Sequence, residues 1–92
     1  MEKNELLQAL GQVQGHIGQA NLRKAIDEML ELTSETPLKD FNTQVIMQSS
    51  RLSQLKQSEN SGTIGFPQAN MTRAQITNAL LSILSDMKTE VG

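Results

Sequence analysis

Apolar residues recur along the chain with the period of an α-helix, in four separate segments. In the first segment, residues 1–19, four of them follow at steps of four, three and four: Leu6, Leu10, Val13 and Ile17. In the second segment, residues 21–34, the spacing is equally regular: Leu22, Ala25, Ile26, Met29 and Leu30. Such spacing places each set on one side of a helix. Asn4 and Asn21 are predicted to cap the two helices.

Two longer segments follow, and each begins beside a proline. The third, residues 37–58, starts at Pro37 and carries a stripe that also includes the small Ser49: Leu38, Phe41, Val45, Leu52 and Leu55. The fourth, residues 66–89, has Pro67 in its first turn and an apolar stripe that runs from Ala69 to Met87. Proline is favoured in the first turn of a helix, and Gly62 is predicted to end the third helix. Ile64 then folds back onto the core.

These segments predict an all-α fold. The loop between the third and fourth helices is short, so these two helices form a long antiparallel hairpin, which the first two helices cover. The expected whole is a compact antiparallel bundle of about four helices in a single domain, residues 1–92. A chain of 92 residues with two Phe, no Trp and no Tyr builds its core from aliphatic and methionine side chains, which suits packed helices.

Charge and composition exclude several kinds of partner. Ten acidic and eight basic residues give a net charge of −2, and no stretch concentrates Lys or Arg as a nucleic-acid surface requires. No apolar run reaches the roughly 20 residues that span a bilayer, and the amino terminus lacks the pattern of a signal peptide. The absence of cysteine fits a reducing compartment. We therefore expect a cytoplasmic domain that binds neither nucleic acid nor membrane.

The charges also divide unevenly along the chain. Before Ile46 there are seven acids and four bases, and from Ile46 onward three acids and four bases. The two parts therefore carry −3 and +1. Such an asymmetry favours a head-to-tail orientation between like domains.

The chain offers no set of residues for catalysis, cofactor binding or metal binding. His16 is the only histidine and is predicted to be a solvent-facing polar residue. The acids of the second helix have the spacing of a solvated helix face, not of a calcium loop. Ser49 and Ser50 have no base beside them, and the short Gly62–Gly65 run lacks the features of a phosphate-binding loop. We expect no catalytic residue, no cofactor and no metal.

Four large apolar residues fall off the helical stripes and are candidates for a protein interface. They are Ile46 and Met47 on the third helix, and Phe66 and Met71 on the fourth. If exposed, they cluster near the sides of the hairpin and supply the buried apolar centre that a protein interface needs. Methionine also provides an adaptable contact surface. Protein is therefore the expected class of partner.

Several short motifs within the third and fourth segments follow one another in a specific order. Ser49, Ser50 and Arg51 precede a Gly-Thr-Ile turn at residues 62–64, then Asn70, then the Ala-Leu-Leu run at residues 79–81. With the alanine- and leucine-rich second segment, this order resembles that of the bacterial effector-associated domains over about residues 21–87. Such domains are small helical adaptors of bacterial conflict systems.

The resemblance implies a role and a set of structural residues. It implies that the domain recruits effector or sensor proteins through contacts between like domains, on the same or on other chains. It also places Arg51, Gly62, Ile64 and Asn70 within the domain's own hairpin. There we expect the planar guanidinium of Arg51 to bond helix-end carbonyls or an acid, and Asn70 to tie the Gly62 loop to the fourth helix. Two other functions stay open: a structural or regulatory module packed within its own parent protein, and a small ligand-binding bundle.

Overall fold

The structure, a computed structural model, describes residues 2–35 and 37–92. Met1, in the first predicted helix, and Thr36, in the predicted break before Pro37, lie outside the described residues. Within these ranges the chain forms four α-helices, as the hydrophobic pattern predicts. They are α1 (Lys3–Gly18), α2 (Leu22–Leu32), α3 (Asn42–Ser61) and α4 (Phe66–Val91), with a short 3-10 helix at Lys39–Phe41.

Each helix packs against its two neighbours in a closed ring. The chain-adjacent pairs α1–α2, α2–α3 and α3–α4 are in contact, and α4 returns to pack on α1. The directions alternate, since Asn42 near the start of α3 donates to Thr33 Oγ1 after the end of α2 (3.0 Å). At about 1.5 Å per residue, the 26 residues of α4 extend along most of the 44 Å long axis. The result is the predicted antiparallel bundle.

The core is aliphatic and continuous through all four helices. Eighteen buried apolar side chains form one cluster, and the predicted stripes supply nearly all of them. The partly buried Ile64 packs against that cluster, so its predicted return to the core is confirmed. Thr33 is the main polar exception: its hydroxyl is fully buried, donates to the Met29 carbonyl oxygen (2.8 Å) and accepts from Asn42.

Two predicted helix starts are wrong. Helix α1 begins at Lys3 with Glu2 at the N-cap position, so Asn4 is not the cap. Helix α3 begins at Asn42, not at Pro37, because the chain uses residues 37–41 to cross from α2 to α3 while Leu38 stays buried. Asn21 occupies the N-cap position of α2, but its side chain forms no capping hydrogen bond.

Gly62 ends α3 in a left-handed conformation, with a φ of 72°, which confirms its predicted role. Its amide donates to Glu59 O (3.2 Å), and the next amide, of Thr63, donates to Ser58 O (3.0 Å). These bonds satisfy carbonyl groups that the helix leaves free at its end.

We therefore expect Gly62→Ala to lower the free energy of unfolding by about 1 kcal/mol, since a Cβ disfavours the left-handed region. The matched control is Gly11→Ala. Gly11 lies within α1, and open space surrounds the position of its added Cβ, so this change raises stability by about 0.5 to 1 kcal/mol. Urea unfolding followed by circular dichroism measures both. Shifts of the same sign would contradict the assignment.

Candidate protein-interaction site

The four predicted interface candidates are all exposed. The exposed fractions are 49% for Ile46, 57% for Met47, 78% for Phe66 and 64% for Met71. Methionine and phenylalanine side chains of this exposure are unusual on a bundle whose other large apolar side chains are mostly buried. All four belong to α3 and α4. The described surface therefore concentrates its most exposed apolar side chains on the hairpin.

The candidates do not form one cluster, contrary to the expectation from sequence. Met47 lies beside Ala79, Ser82 and Ile83 of α4, whereas Phe66 and Met71 belong to the first turns of that helix. Met71 precedes Ser82 by 11 residues, which is about three helical turns and about 16 Å. Met71 and Met47 therefore lie on the same side of the hairpin but near its opposite ends.

We call this side the hairpin face: the outer side of α3 and α4, with Met47 at one end and Met71 at the other. Phe66 lies about 140° around α4 from Met71, and Ile46 about 100° around α3 from Met47, at 3.6 residues per turn. Both point to other sides of the bundle. The structure thus places two of the four candidates on one face and separates the other two from it.

A groove at the Met47 end of the hairpin face contains a buried polar group without a partner. The groove has a volume of about 230 Å³ and is lined by Gln44, Met47, Gln48 and three residues of α4. Gln48 is only 6% exposed, and its Oε1 accepts no hydrogen bond from the described residues. A buried polar atom without a partner lowers stability by about 1 to 3 kcal/mol. The groove therefore lies beside a buried acceptor that the described residues leave without a hydrogen bond.

The middle of the hairpin face is polar. The Arg51 guanidinium, half-buried, donates to Gln75 Oε1 across the two helices (3.4 Å). The predicted contact of Arg51 with helix-end carbonyls or an acid is therefore replaced by a contact with an amide. The side chains of Gln54 and Asn78 are exposed nearby along the two helices. The apolar ends thus flank a centre that can form hydrogen bonds.

Other residues than Asn70 hold the loop end of the hairpin. Asn70 is exposed and follows the buried Ala69 by one residue, so it lies about 100° around the helix from the core. The tie predicted for it comes instead from Arg73, whose guanidinium pairs with Glu59 (2.6 Å). Within the loop, the hydroxyl groups of Ser61 and Thr63 are 3.0 Å apart.

Antiparallel packing makes the charge difference between the two ends of the bundle larger than the difference between the two halves of the sequence. When each helix is divided at its midpoint, the end that holds the loop from α2 to α3 carries nine acids and four bases, and the end that holds the loop from α3 to α4 carries one acid and four bases. The charges are −5 and +3, or −4 and +2 if Asp27, the middle residue of α2, is counted at the other end. We call these the acidic end and the basic end.

A second groove lies between α1 and α2 at the acidic end. Its volume is about 290 Å³, near the lower limit of small-molecule sites. Its lining combines the apolar Leu6 and Leu32 with three acids, Glu28, Glu31 and Glu35. Glu28 also contacts His16, with 3.3 Å between Oε1 and Nε2. The His16 side chain is 21% exposed, so it is less open to solvent than predicted.

The described residues hold neither of two specialised features. Across residues 2–35 and 37–92, no three His, Asp or Glu side chains gather in an arrangement that suits a metal ion. None of the described helices combines the length and the apolar character that crossing a membrane requires.

Three further side chains are notable for their exposure or burial: Gln48 on the hairpin face, and Leu7 and Leu81 on other sides of the bundle. Gln48 follows Val45 by three residues and precedes Leu52 by four, so helical periodicity places it toward the core. Because it is polar, the apolar pattern does not include it. Leu7 and Leu81 are each more than one-third exposed. Both follow a buried residue of the stripe by one position, a signal that identifies the edge of a helix face.

The sequence matches the model of one known protein family. The model of the family described as effector-associated domain 11 matches residues 2–88, which is nearly the whole chain. No curated protein and no solved structure gave a significant match. The matched range contains the helix with Ser49, Ser50 and Arg51, the Gly62 turn and most of the helix that carries the Ala-Leu-Leu run. The chain therefore belongs to the effector-associated domain 11 family.

Proposed function

We propose that this domain is an adaptor that binds other protein chains carrying the same kind of domain, and that it thereby recruits effector or sensor proteins in a bacterial defence or signalling system. In this proposal the domain itself carries out no chemistry. The observation that carries the proposal is the hairpin face, where Met47 and Met71 are each more than half exposed. The family supports the association with effectors.

An exposed methionine side chain favours contact with a second apolar surface, because that contact removes it from water. Burial of apolar surface stabilises an association by about 25 cal/mol for each Å² removed from water. The bundle has already buried eighteen apolar side chains in its own core, so Met47 and Met71 are not needed to complete it. Their flexible thioether chains adapt to a second surface. Hydrogen bonds from the polar centre around Arg51 fix the orientation of the partner. This combination suits a reversible protein contact.

The proposal predicts that Met71→Glu raises the dissociation constant for a like domain at least about tenfold, because a carboxylate replaces an apolar contact. Size-exclusion chromatography with light scattering across a range of concentrations measures self-association, and a pull-down with other domains of the family measures binding between different chains. Gln8→Glu is the matched control, since it introduces the same group at an exposed position of α1.

A wild-type chain that stays monomeric and binds no like domain would contradict the proposal. In that case a module packed within its own parent protein becomes the better explanation, and the hairpin face then contacts a neighbouring part of the same polypeptide. Equal loss of binding in the Met71→Glu and Gln8→Glu chains would show that net charge, not the hairpin face, governs the contact.

A further inference from the structure

We propose that the hairpin face pairs with the hairpin face of a second copy of this chain in antiparallel orientation, so that Met47 of each copy contacts Met71 of the other. The inference rests on the proposed binding between like domains and adds the partner, the surface and the orientation. It follows from the separation of the two methionines, the opposite charges of the two ends, the size of the face and the unpartnered oxygen of Gln48.

The separation of the methionines fits a two-fold axis. Met47 and Met71 lie about 16 Å apart along the bundle, on either side of the centre that contains Arg51 and Gln75. A two-fold axis that lies in the plane of the contact, passes over this centre and is perpendicular to the helices places a second copy opposite the first with its ends exchanged. Each methionine of one copy then meets the other methionine of its partner, and both contacts form at once. Such self-complementary contacts are typical of symmetric dimers.

Charge distinguishes this orientation from the parallel one. In a parallel pair the two acidic ends, with nine acids and four bases each by the midpoint division, lie together and repel. In the antiparallel pair each acidic end faces a basic end, where four bases accompany one acid. Complementary potentials steer association and disfavour the wrong orientation. The charges therefore select the arrangement that joins Met47 to Met71.

The dimensions of the molecule favour the side over the ends as the contact. A stable interface buries about 800 Å² on each partner. The bundle measures 44 × 21 × 16 Å, so contact through an end, 21 × 16 Å across, is too small for such an interface. The hairpin face extends along the 44 Å axis and provides an area of the required size. This excludes the end-to-end stacking that the charge asymmetry alone suggests.

Gln48 lies in the region of the proposed contact. Its buried Oε1 has no hydrogen-bond partner among the described residues, and it lines the same groove as Met47. In the antiparallel pair this groove receives the partner's Met71 and the amide side chains near it. Because Oε1 is buried, the side chains that line the groove shift in the pair so that a donor from the partner reaches the oxygen. The second copy thus satisfies a group that the single chain leaves without a bond.

The test uses two single variants, Met47→Lys and Met71→Glu, each alone and in an equimolar mixture with one of them labelled with ¹⁵N. Each variant alone should dimerise at least about tenfold more weakly than the wild type. In the mixture, the introduced ammonium faces the introduced carboxylate on one side of the two-fold axis, and the native methionine pair is intact on the other. Native mass spectrometry should then find mainly mixed dimers, with an affinity within about threefold of the wild type.

Each outcome decides the inference. Recovery in the mixture supports the antiparallel contact, because a parallel contact places each new charge against an unchanged methionine. A wild-type dimer without recovery overturns the orientation but leaves binding between like domains intact. A wild-type chain that binds a like domain of another protein but never itself overturns the second copy as the partner. A wild-type monomer that binds no like domain overturns both proposals. Circular dichroism establishes that the variants are folded, and Gln8→Lys controls for added charge at the acidic end.

Discussion

Replacing Leu80 with alanine should lower the free energy of unfolding by about 3 to 5 kcal/mol. Leu80 is fully buried and lies near the middle of α4, the helix that packs on both α1 and α3. Its truncation removes apolar contacts and leaves a cavity that the surrounding side chains fill only in part. Domains of this kind are stable by about 5 to 15 kcal/mol in total. The variant should therefore populate unfolded chains at moderate temperature.

The next residue provides the matched control. Leu81 is 39% exposed, and the same change to alanine there should lower stability by less than about 1 kcal/mol. Urea unfolding followed by far-ultraviolet circular dichroism compares the two, because the chain has no Trp or Tyr for a fluorescence measurement. Similar losses at both positions would mean that the register of α4 against the core differs from the one described.

The second large effect is expected at Gln48, and its sign is opposite. Gln48→Met removes the unpartnered Oε1 while it keeps a side chain of similar length and volume. Removal of an unsatisfied buried polar atom should raise the free energy of unfolding by about 1 to 3 kcal/mol. The same variant should dimerise several-fold more weakly if the oxygen accepts a hydrogen bond from a second copy.

Two measurements on this one variant separate a structural role from a binding role. Urea unfolding of a dilute, monomeric sample gives the stability, and light scattering gives the dimerisation. A gain in stability with unchanged dimerisation would contradict the assigned bond between copies. A loss of stability would mean that Oε1 already accepts a hydrogen bond in solution. The groove would then give no support to the contact between two copies. Stabilising changes that reduce function are common at binding sites.

The fold could be predicted from the sequence because the apolar stripes and the residues that end the helices indicate the same four elements. Leu22, Ala25, Ile26 and Met29 are all buried, and Gly62 ends its helix where a left-handed residue is required. Periodicity fails where several interactions compete locally. At residues 37–41 the proline indicates a helix start, but burial of Leu38 and the bond from Asn42 to Thr33 draw the chain into a crossing turn. Such tertiary contacts are not visible in a local pattern.

The candidate site was predictable in part. Periodicity identifies Met47 and Met71 as off-stripe, and they are exposed. It does not tell which of the four candidates share a face, because that depends on the register of α3 against α4. It also passes over Gln48, since a polar residue at a stripe position is ordinarily assigned to the edge of the core. The charge of each end likewise emerges only when antiparallel helices bring distant segments together.

The ring of neighbouring helices also has a consequence for how quickly the domain forms. Three of its four helix pairs join segments that follow one another in the chain, and only the α1–α4 pair joins distant ones. Proteins dominated by such local contacts fold in microseconds to milliseconds, because little loop entropy is lost before native contacts form. A newly synthesised chain therefore exposes its apolar stripes only briefly. Rapid closure of this kind limits misassembly in a module whose surface is suited to meeting copies of itself.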